Sequence, residues 1–186
     1  MFNDINLIKR ENSLFFKLIK SKEEISNDCN GFLIDADEKE VRRILSFLKT
    51  KEIKKRIALF GKDEMFNRRV IETINFDYLV SPEFNSQKDS LKQRSSGLNH
   101  YLTKKMKEKN IAVLISFDLL FKQDKKMKAV LISRIMQNIN LCKKTNTDIK
   151  IASLSKENFF SVYERERFGI SLGMSSQQSS KCCEFQ

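Results

Sequence analysis

The sequence predicts an α/β protein whose parallel sheet curls into a TIM-barrel-like form, shortened or incomplete, and three observations lead there. Short apolar runs recur at fairly even intervals, amphipathic helical segments separate them, and about six such units fit in 186 residues, fewer than the eight of a full barrel. An open doubly wound parallel sheet satisfies the same alternation and stands as the alternative.

The strand candidates, in order, are Ile5–Ile8, Gly31–Ala36, Arg56–Gly61, Tyr78–Ser81, Ile111–Phe117 and Ile149–Leu154. Most are nearly continuous in apolar residues, as strands covered on both faces are. Asp37–Thr50 opens with an acidic first turn and puts Val41, Ile44, Leu45 and Leu48 on one helical face. Gly97–Asn110 groups Leu98, Leu102 and Met106, and Lys125–Lys144 groups Leu131, Ile135, Ile139 and Cys142. Ser81–Ser96 is polar, contains the single proline, Pro82, and reads as a long loop after a strand, at the end of the sheet where α/β folds bind ligands. Residues 1–174 are expected to form one domain. The tail SSQQSSKCCEFQ, residues 175–186, is poor in apolar residues and is expected to be disordered.

Charge is distributed unevenly. Residues 1–83 carry 16 basic and 15 acidic side chains, and residues 151–186 carry 4 of each. Residues 84–150 carry 15 basic and 5 acidic, a balance of +10 within a total of +11. Such concentration points to a polyanionic partner, because each cation that meets a phosphate releases a condensed counterion. A solvated lysine-rich surface is the plainer explanation of the same numbers.

Several function classes are disfavoured. A single histidine, His100, cannot supply a multi-histidine metal site, and Asp4, Asp35 and Asp77 near strand ends would make a weak carboxylate one. No GxGxxG or GxxxxGK[ST] loop is present. Cys29, Cys142, Cys182 and Cys183 show no CxxC spacing, and the N-terminal stretch lacks the apolar run of a signal peptide, so free thiols in a reducing compartment are expected. No stretch approaches membrane-spanning length. No cofactor, metal or catalytic residue is expected in the chain.

The basic segments suggest phosphate contacts. The helix Gly97–Asn110 seats its apolar face and presents His100, Lys104 and Lys107 on the other, directly after Lys88, Lys92 and Arg94. Lys125, Lys126 and Lys128 crowd a helix beginning, where the macrodipole favours negative charge. Arg134 lies at the margin of that helix's apolar stripe. Arg68 and Arg69 form a further patch, unless a salt bridge to Glu64 or Glu72 at helical spacing engages them.

The stretch SSGLNHYLTKKMKEKNIAVLISFDLLF, Ser95–Phe121, resembles the Asp-Ser-Gly-Leu-Asn-His helix and following strand of the archaeal ribonuclease P protein component 3 family. This is the counterpart of the eukaryotic 30-kilodalton subunit. Ser96, Gly97 and Asn99 carry that motif, and Arg134 matches a family arginine on the next helix. Asn67 and Arg68 resemble a family Asn-Arg pair, Ser153 ends a similar strand, and Gly169–Met174, with Gly173, resembles a Leu-Gly-Met ending. Ser95 replaces the motif's Asp, VYERERFG replaces an expected turn, and residues 9–30 match poorly.

The resemblance implies a PHP-like barrel without the metal ligands of PHP phosphoesterases. It also implies a non-catalytic subunit of an RNA-dependent endonuclease, in which the RNA removes the 5′ leader of precursor tRNA. Partners would be ribonuclease P RNA, precursor tRNA, the RRM-like component 2 and other ribonuclease P proteins, in archaeal cytoplasm or a eukaryotic nucleus. RNA contacts would come from Arg68, Lys88, Lys92, Arg94, His100, Lys104 and Arg134. A PHP-like metal-dependent phosphoesterase and a general basic RNA-binding module are the competing readings.

Overall fold

Seven parallel strands follow one another around the sheet in the order of the chain. They are β1 (Asp4–Asn6), β2 (Ser13–Ile19), β3 (Gly31–Ile34), β4 (Arg56–Phe60), β5 (Tyr78–Val80), β6 (Ala112–Ser116) and β7 (Ile149–Ala152). The structure is a computed structural model, and it describes residues 2–84, 88–89, 94–157 and 160–185. A doubly wound sheet would reverse its strand order at a switch point; this one does not, so that alternative is overturned.

The sheet curls until its first strand meets its last. Leu154 N–H donates to Ile5 O at 3.0 Å, and Leu7 N–H donates to Ser155 O at 3.3 Å. Side chains complete the seam: Asp4 Oδ1 accepts from Ser153 N at 2.8 Å and Asn6 Oδ1 from Ser155 N at 3.4 Å. The result is a nearly closed seven-stranded barrel, joined by a few hydrogen bonds instead of a full ladder.

Alternate residues of each strand fill the lumen. Ile5, Leu14, Phe16, Leu33, Ala58, Tyr78, Val80, Ala112, Leu114, Ala152 and Leu154 form one buried cluster there. Phe16 meets Tyr78 edge to face at 6.2 Å. Gly31 makes room for Phe16, since a Cβ there would lie 2.6 Å from Phe16 Cζ and 2.7 Å from Arg56 O.

The outer layer holds α1 (Glu38–Thr50), α2 (Glu64–Thr73), α3 (His100–Glu108), α4 (Phe117–Phe121), α5 (Lys125–Thr145) and α6 (Val162–Ser171). Their apolar stripes, including Val41 and Ile44, Val70 and Ile71, Leu102 and Met106, and Ile135 and Ile139, pack on the outer face of the strands. Each of these helices is started by a side-chain oxygen that accepts an orphan backbone N–H, from Asp37, Asp63, Asn99, Ser116, Asp124 and Ser161 respectively.

Two expectations are corrected. Ser13–Ile19 is a strand, and only residues 7–12 connect it to β1, without a crossover helix. Residues 175–185 of the tail are structured. After Ser175, which caps α7 (Ser176–Lys181) in a reciprocal pair with Gln178, the chain buries Cys182, Cys183 and Phe185. Phe185 plugs the lumen edge to face against Tyr78, and its backbone exchanges two hydrogen bonds with Phe2 at 2.9 and 3.1 Å. Three apolar side chains at the end of a polar segment are sufficient anchors, although they barely move its average composition.

Candidate nucleic-acid interface

The basic region is built around the crossover from β5 to α3, at the C-terminal ends of the strands. Ser81 leaves β5 with φ +46, and the chain returns at Gly97 with φ +77. A Cβ on Gly97 would sit 2.1 Å from Pro82 O, so the two ends of the loop touch only because this residue is glycine. Asn67, buried on α2, secures the same point. Its Nδ2 donates to Gly97 O at 3.0 Å and to Lys62 O at 3.1 Å, while its Oδ1 accepts from Lys62 N at 2.8 Å.

Helix α5 holds the loop from the other side. Asn138 Nδ2 donates to Ser96 O at 3.1 Å, and Gln137 Nε2 donates to Ser96 Oγ at 3.0 Å and Arg94 O at 3.2 Å. Asn99 Oδ1 accepts from Leu102 N at 2.9 Å, starting α3, and its Nδ2 donates to Glu64 Oε1 at 2.8 Å. The motif residues Asn67, Ser96, Gly97 and Asn99 therefore converge on one knot. Their work is to position the loop and α3. Ser153 has a comparable role at the seam, where its N–H donates to Asp4 Oδ1 at 2.8 Å. Gly173, at φ +96, ends α6, with Met174 N–H donating to Gly169 O at 3.0 Å.

Arg134 is a correction to the expected RNA contacts. Only 4% of it is exposed. Its Nε donates to Asp89 Oδ1 at 2.9 Å and its Nη1 to Glu83 O at 3.0 Å, so the guanidinium clamps the loop from beneath and is spent inside the protein. An arginine at the edge of an apolar stripe can turn inward when a carboxylate arrives from another segment, here 45 residues away. Asp89 also accepts from Ser95 N at 2.7 Å and pairs with Arg94 at 3.4 Å.

Beside this clamp Glu83 is fully enclosed, and burial pushes its carboxyl up to about 7, against weaker opposing hydrogen bonds. Among the described residues, its Oε2 and the Oδ1 of Asn138 have no hydrogen-bond partner. Residue-by-residue reading missed Glu83, Asp89, Gln137 and Asn138. The one available signal was an acidic residue, Asp89, adjacent to Lys88 in a loop whose only other acid is Glu83.

The remaining cations face solvent. Lys88 and Arg94 line a groove of about 290 Å³ with Glu64 and residues 95–99. His100 and Lys104 are exposed on α3 and form no ion pair among the described residues. Arg68 is exposed on α2, 5.8 Å from the centre of the Tyr101 ring on α3, so it joins the same face. It is paired with Glu72 at 3.0 Å, as helical spacing allowed. Lys92 lies outside the described residues. At the start of α5 the Asp124 carboxylate accepts from Met127 N at 2.9 Å, and so supplies negative charge beside Lys125, Lys126 and Lys128.

The carboxylates considered for a metal are dispersed. Asp4 pairs with Arg165 at 3.1 Å, Asp35 with Lys62 at 3.8 Å, and Asp77 with Arg56 at 3.5 Å at the opposite end of the strands. Among the described residues, no three His, Cys, Asp or Glu side chains lie close enough to hold a metal ion. No described helix is long and apolar enough to cross a membrane. Arg165 was not anticipated. It is fully buried, and its guanidinium also donates to Ile151 O, Asn3 O and Phe160 O, tying α6 across the barrel seam.

Fold and surface together define a nearly closed parallel barrel with a cationic edge at the C-terminal ends of its strands. Within that class, the chain is similar in sequence to archaeal ribonuclease P protein component 3. It is 36% identical to the component 3 of Methanococcoides burtonii over 64 residues, which is 34% of this chain and 23% of that protein. It is 30% identical to that of Methanococcus maripaludis over 93 residues, 50% of this chain and 37% of the relative. These matches span well under half of the relatives' length. No protein-family model matches the chain.

In fold, it superposes with a TM-score of 0.74 and 19% identity on a chain of archaeal ribonuclease P determined by cryo-EM with mature tRNA, covering 96% of this chain and 85% of that one. Aspergillus niger ochratoxinase gives a TM-score of 0.59 at 12% identity, covering 83% of this chain and 38% of that one. The barrel frame is thus shared with proteins of other activities.

Proposed function

We propose that the chain is a non-catalytic protein subunit of ribonuclease P, which binds and stabilises the RNA that removes the 5′ leader of precursor tRNA. One observation carries this reading: sequence likeness and fold likeness lead independently to the same assembly, and the fold match covers nearly the whole chain. The exposed face of Lys88, Arg94, His100, Lys104 and Arg68 supports it, because sequence-independent phosphate contacts suit a protein that holds a structured RNA. Arg134 belongs to the scaffold of that face and is not counted among its contacts.

In this reading the catalytic groups reside in the RNA. Partners are ribonuclease P RNA, precursor tRNA, an RRM-like component 2 and further protein subunits, and the protein acts where that RNA resides, in archaeal cytoplasm or a eukaryotic nucleus. The test is to purify the tagged protein from its own cells in mild salt and sequence the RNA that accompanies it. Enrichment of one structured RNA, in material that trims precursor tRNA, is expected. A mixture that follows cellular RNA abundance, or no RNA, overturns the reading.

A further inference from the structure

A second surface lies apart from the basic loop, where β6 and β7 end on the ligand-binding side of the barrel. Ser116 caps α4, so Phe117 and Phe121 fall one helical turn apart. Phe117 is buried, with ring centroids 4.5 Å from Phe160 and 4.9 Å from Phe168, both edge to face. Phe121 packs on Phe117 at 4.6 Å and stands 5.8 Å from Phe160, yet 48% of it is exposed. Three rings hold a fourth in a fixed orientation at the surface.

One cation lies against this ring, and others stand close to it in the chain. Lys128 Nζ lies 5.2 Å from the Phe121 centroid and donates to Phe121 O at 3.2 Å. Lys125 and Lys126 are exposed in the first turn of α5, and Lys156 is exposed after β7. Lys122 pairs with Asp118 at 2.7 Å. Of the neighbouring acids, Asp124 is engaged as a cap, and Glu157 is exposed. The cores of protein–protein interfaces are depleted in lysine, whereas an aromatic face contacted by a lysine, with further lysines nearby in the chain, suits a ligand with both a π surface and negative charge.

We propose that Phe121, backed by Phe117, Phe160 and Phe168, is a stacking platform for an unpaired base of RNA, with Lys125, Lys126 and Lys128 taking the flanking phosphates. The inference rests on the reading of the chain as an RNA-binding subunit and adds a single-stranded contact to it. The base covers the ring face, and Lys128 turns from the ring to the adjoining phosphate.

The test uses the full chain and an oligoadenylate carrying one 2-aminopurine, whose fluorescence is quenched by stacking. Wild type and Phe121→Trp are expected to quench it. Phe121→Leu, which keeps apolar bulk at an exposed position, is expected to lose the quench and to bind the oligonucleotide roughly tenfold or more weakly. An unchanged quench and affinity in Phe121→Leu overturns the proposal. If wild type binds the RNA that co-purifies with it but does not quench the oligonucleotide, the stacking site alone fails. If wild type binds neither, the subunit reading fails with it. A Phe121→Leu variant that keeps the quench but loses a co-purifying protein overturns the proposal in favour of a protein-docking surface.

Discussion

The Nε of Arg134 lies 2.9 Å from Oδ1 of Asp89, and this buried-to-surface pair fixes the loop whose other residues expose Lys88 and Arg94. Positive charge in this protein therefore has two uses. One arginine is consumed within the scaffold so that other cations can be held outward in a defined place.

Arg134→Met is expected to lower stability by about 2 kcal/mol, since it removes one charged partner of Asp89, which keeps Ser95 N–H and Arg94, and frees Glu83 O from its donor. RNA affinity should fall through loss of the loop's position, while the slope of log affinity against log salt stays near its original value. Arg94→Ala combined with Lys104→Ala should instead leave stability within about 0.5 kcal/mol and reduce the salt slope by about 2. Urea unfolding and a salt titration of RNA binding separate the two. Equal salt slopes for all variants would remove Arg94 and Lys104 from the interface.

Gly97→Ala meets both a left-handed backbone and Pro82 O. A loss of roughly 2 kcal/mol or more is expected by denaturant unfolding, where an ordinary glycine-to-alanine exchange would stabilise. Asn67→Ala, which removes the tie to Gly97 O, should weaken the same junction by a further distinct route.

Stability should respond to Glu83. Its folded-state pKa, about 7, lies above the ordinary carboxyl value, so between about pH 4.5 and 7 the folded chain binds more protons than the unfolded one. The contribution to unfolding free energy therefore falls as pH rises through that window, by about 3 kcal/mol at most. Glu83→Gln should remove most of this decline and be the more stable protein at pH 8. Asp4, raised by burial against the pull of Arg165, has a slope of the same sign that persists in the variant. Denaturant melts at pH 5 and 8 give the answer; a wild type as stable at pH 8 as at pH 5, with no gain from Gln, would mean that Glu83 is not held neutral.

Arg165→Met takes from buried Asp4 its ion-pair partner, and is expected to cost about 3–5 kcal/mol. Adding Asp4→Asn should recover a substantial part of that loss in a double-mutant cycle. Independent, additive losses would show that the pair does not act as a unit.

Periodicity made α1, α3 and α5 legible, because the spacing of Ile44 and Leu48, or of Leu102 and Met106, reports a buried stripe directly. Strand β2 escaped because no helix separates it from β1, so the rhythm that revealed the other strands was absent. The ordered tail escaped because Cys182, Cys183 and Phe185 are few among polar neighbours. At the candidate interface, Lys88, Arg94, His100 and Lys104 are exposed as their positions implied. Arg134 was misjudged because local sequence shows a charge but not its partner, and Asp89 is supplied by a separate segment. Resemblance marked Asn67, Ser96, Gly97 and Asn99, whereas their joint role became visible only when α2, α5 and the loop were brought together.

Pairing of Phe2 with Phe185 has a consequence for how the chain is made. The strand that closes the barrel is the first synthesised, and the ring that stops its lumen emerges near the other end of these residues. Until β7 and Ser153–Ser155 have been made, β1 has no seam partner, and until Phe185 follows, the lumen stands open beneath Tyr78. Closure of the barrel therefore waits on contacts of long sequence separation among these residues. Ribosome-bound chains arrested before that point should expose their apolar lumen and call on chaperones, while chains a few residues longer should not.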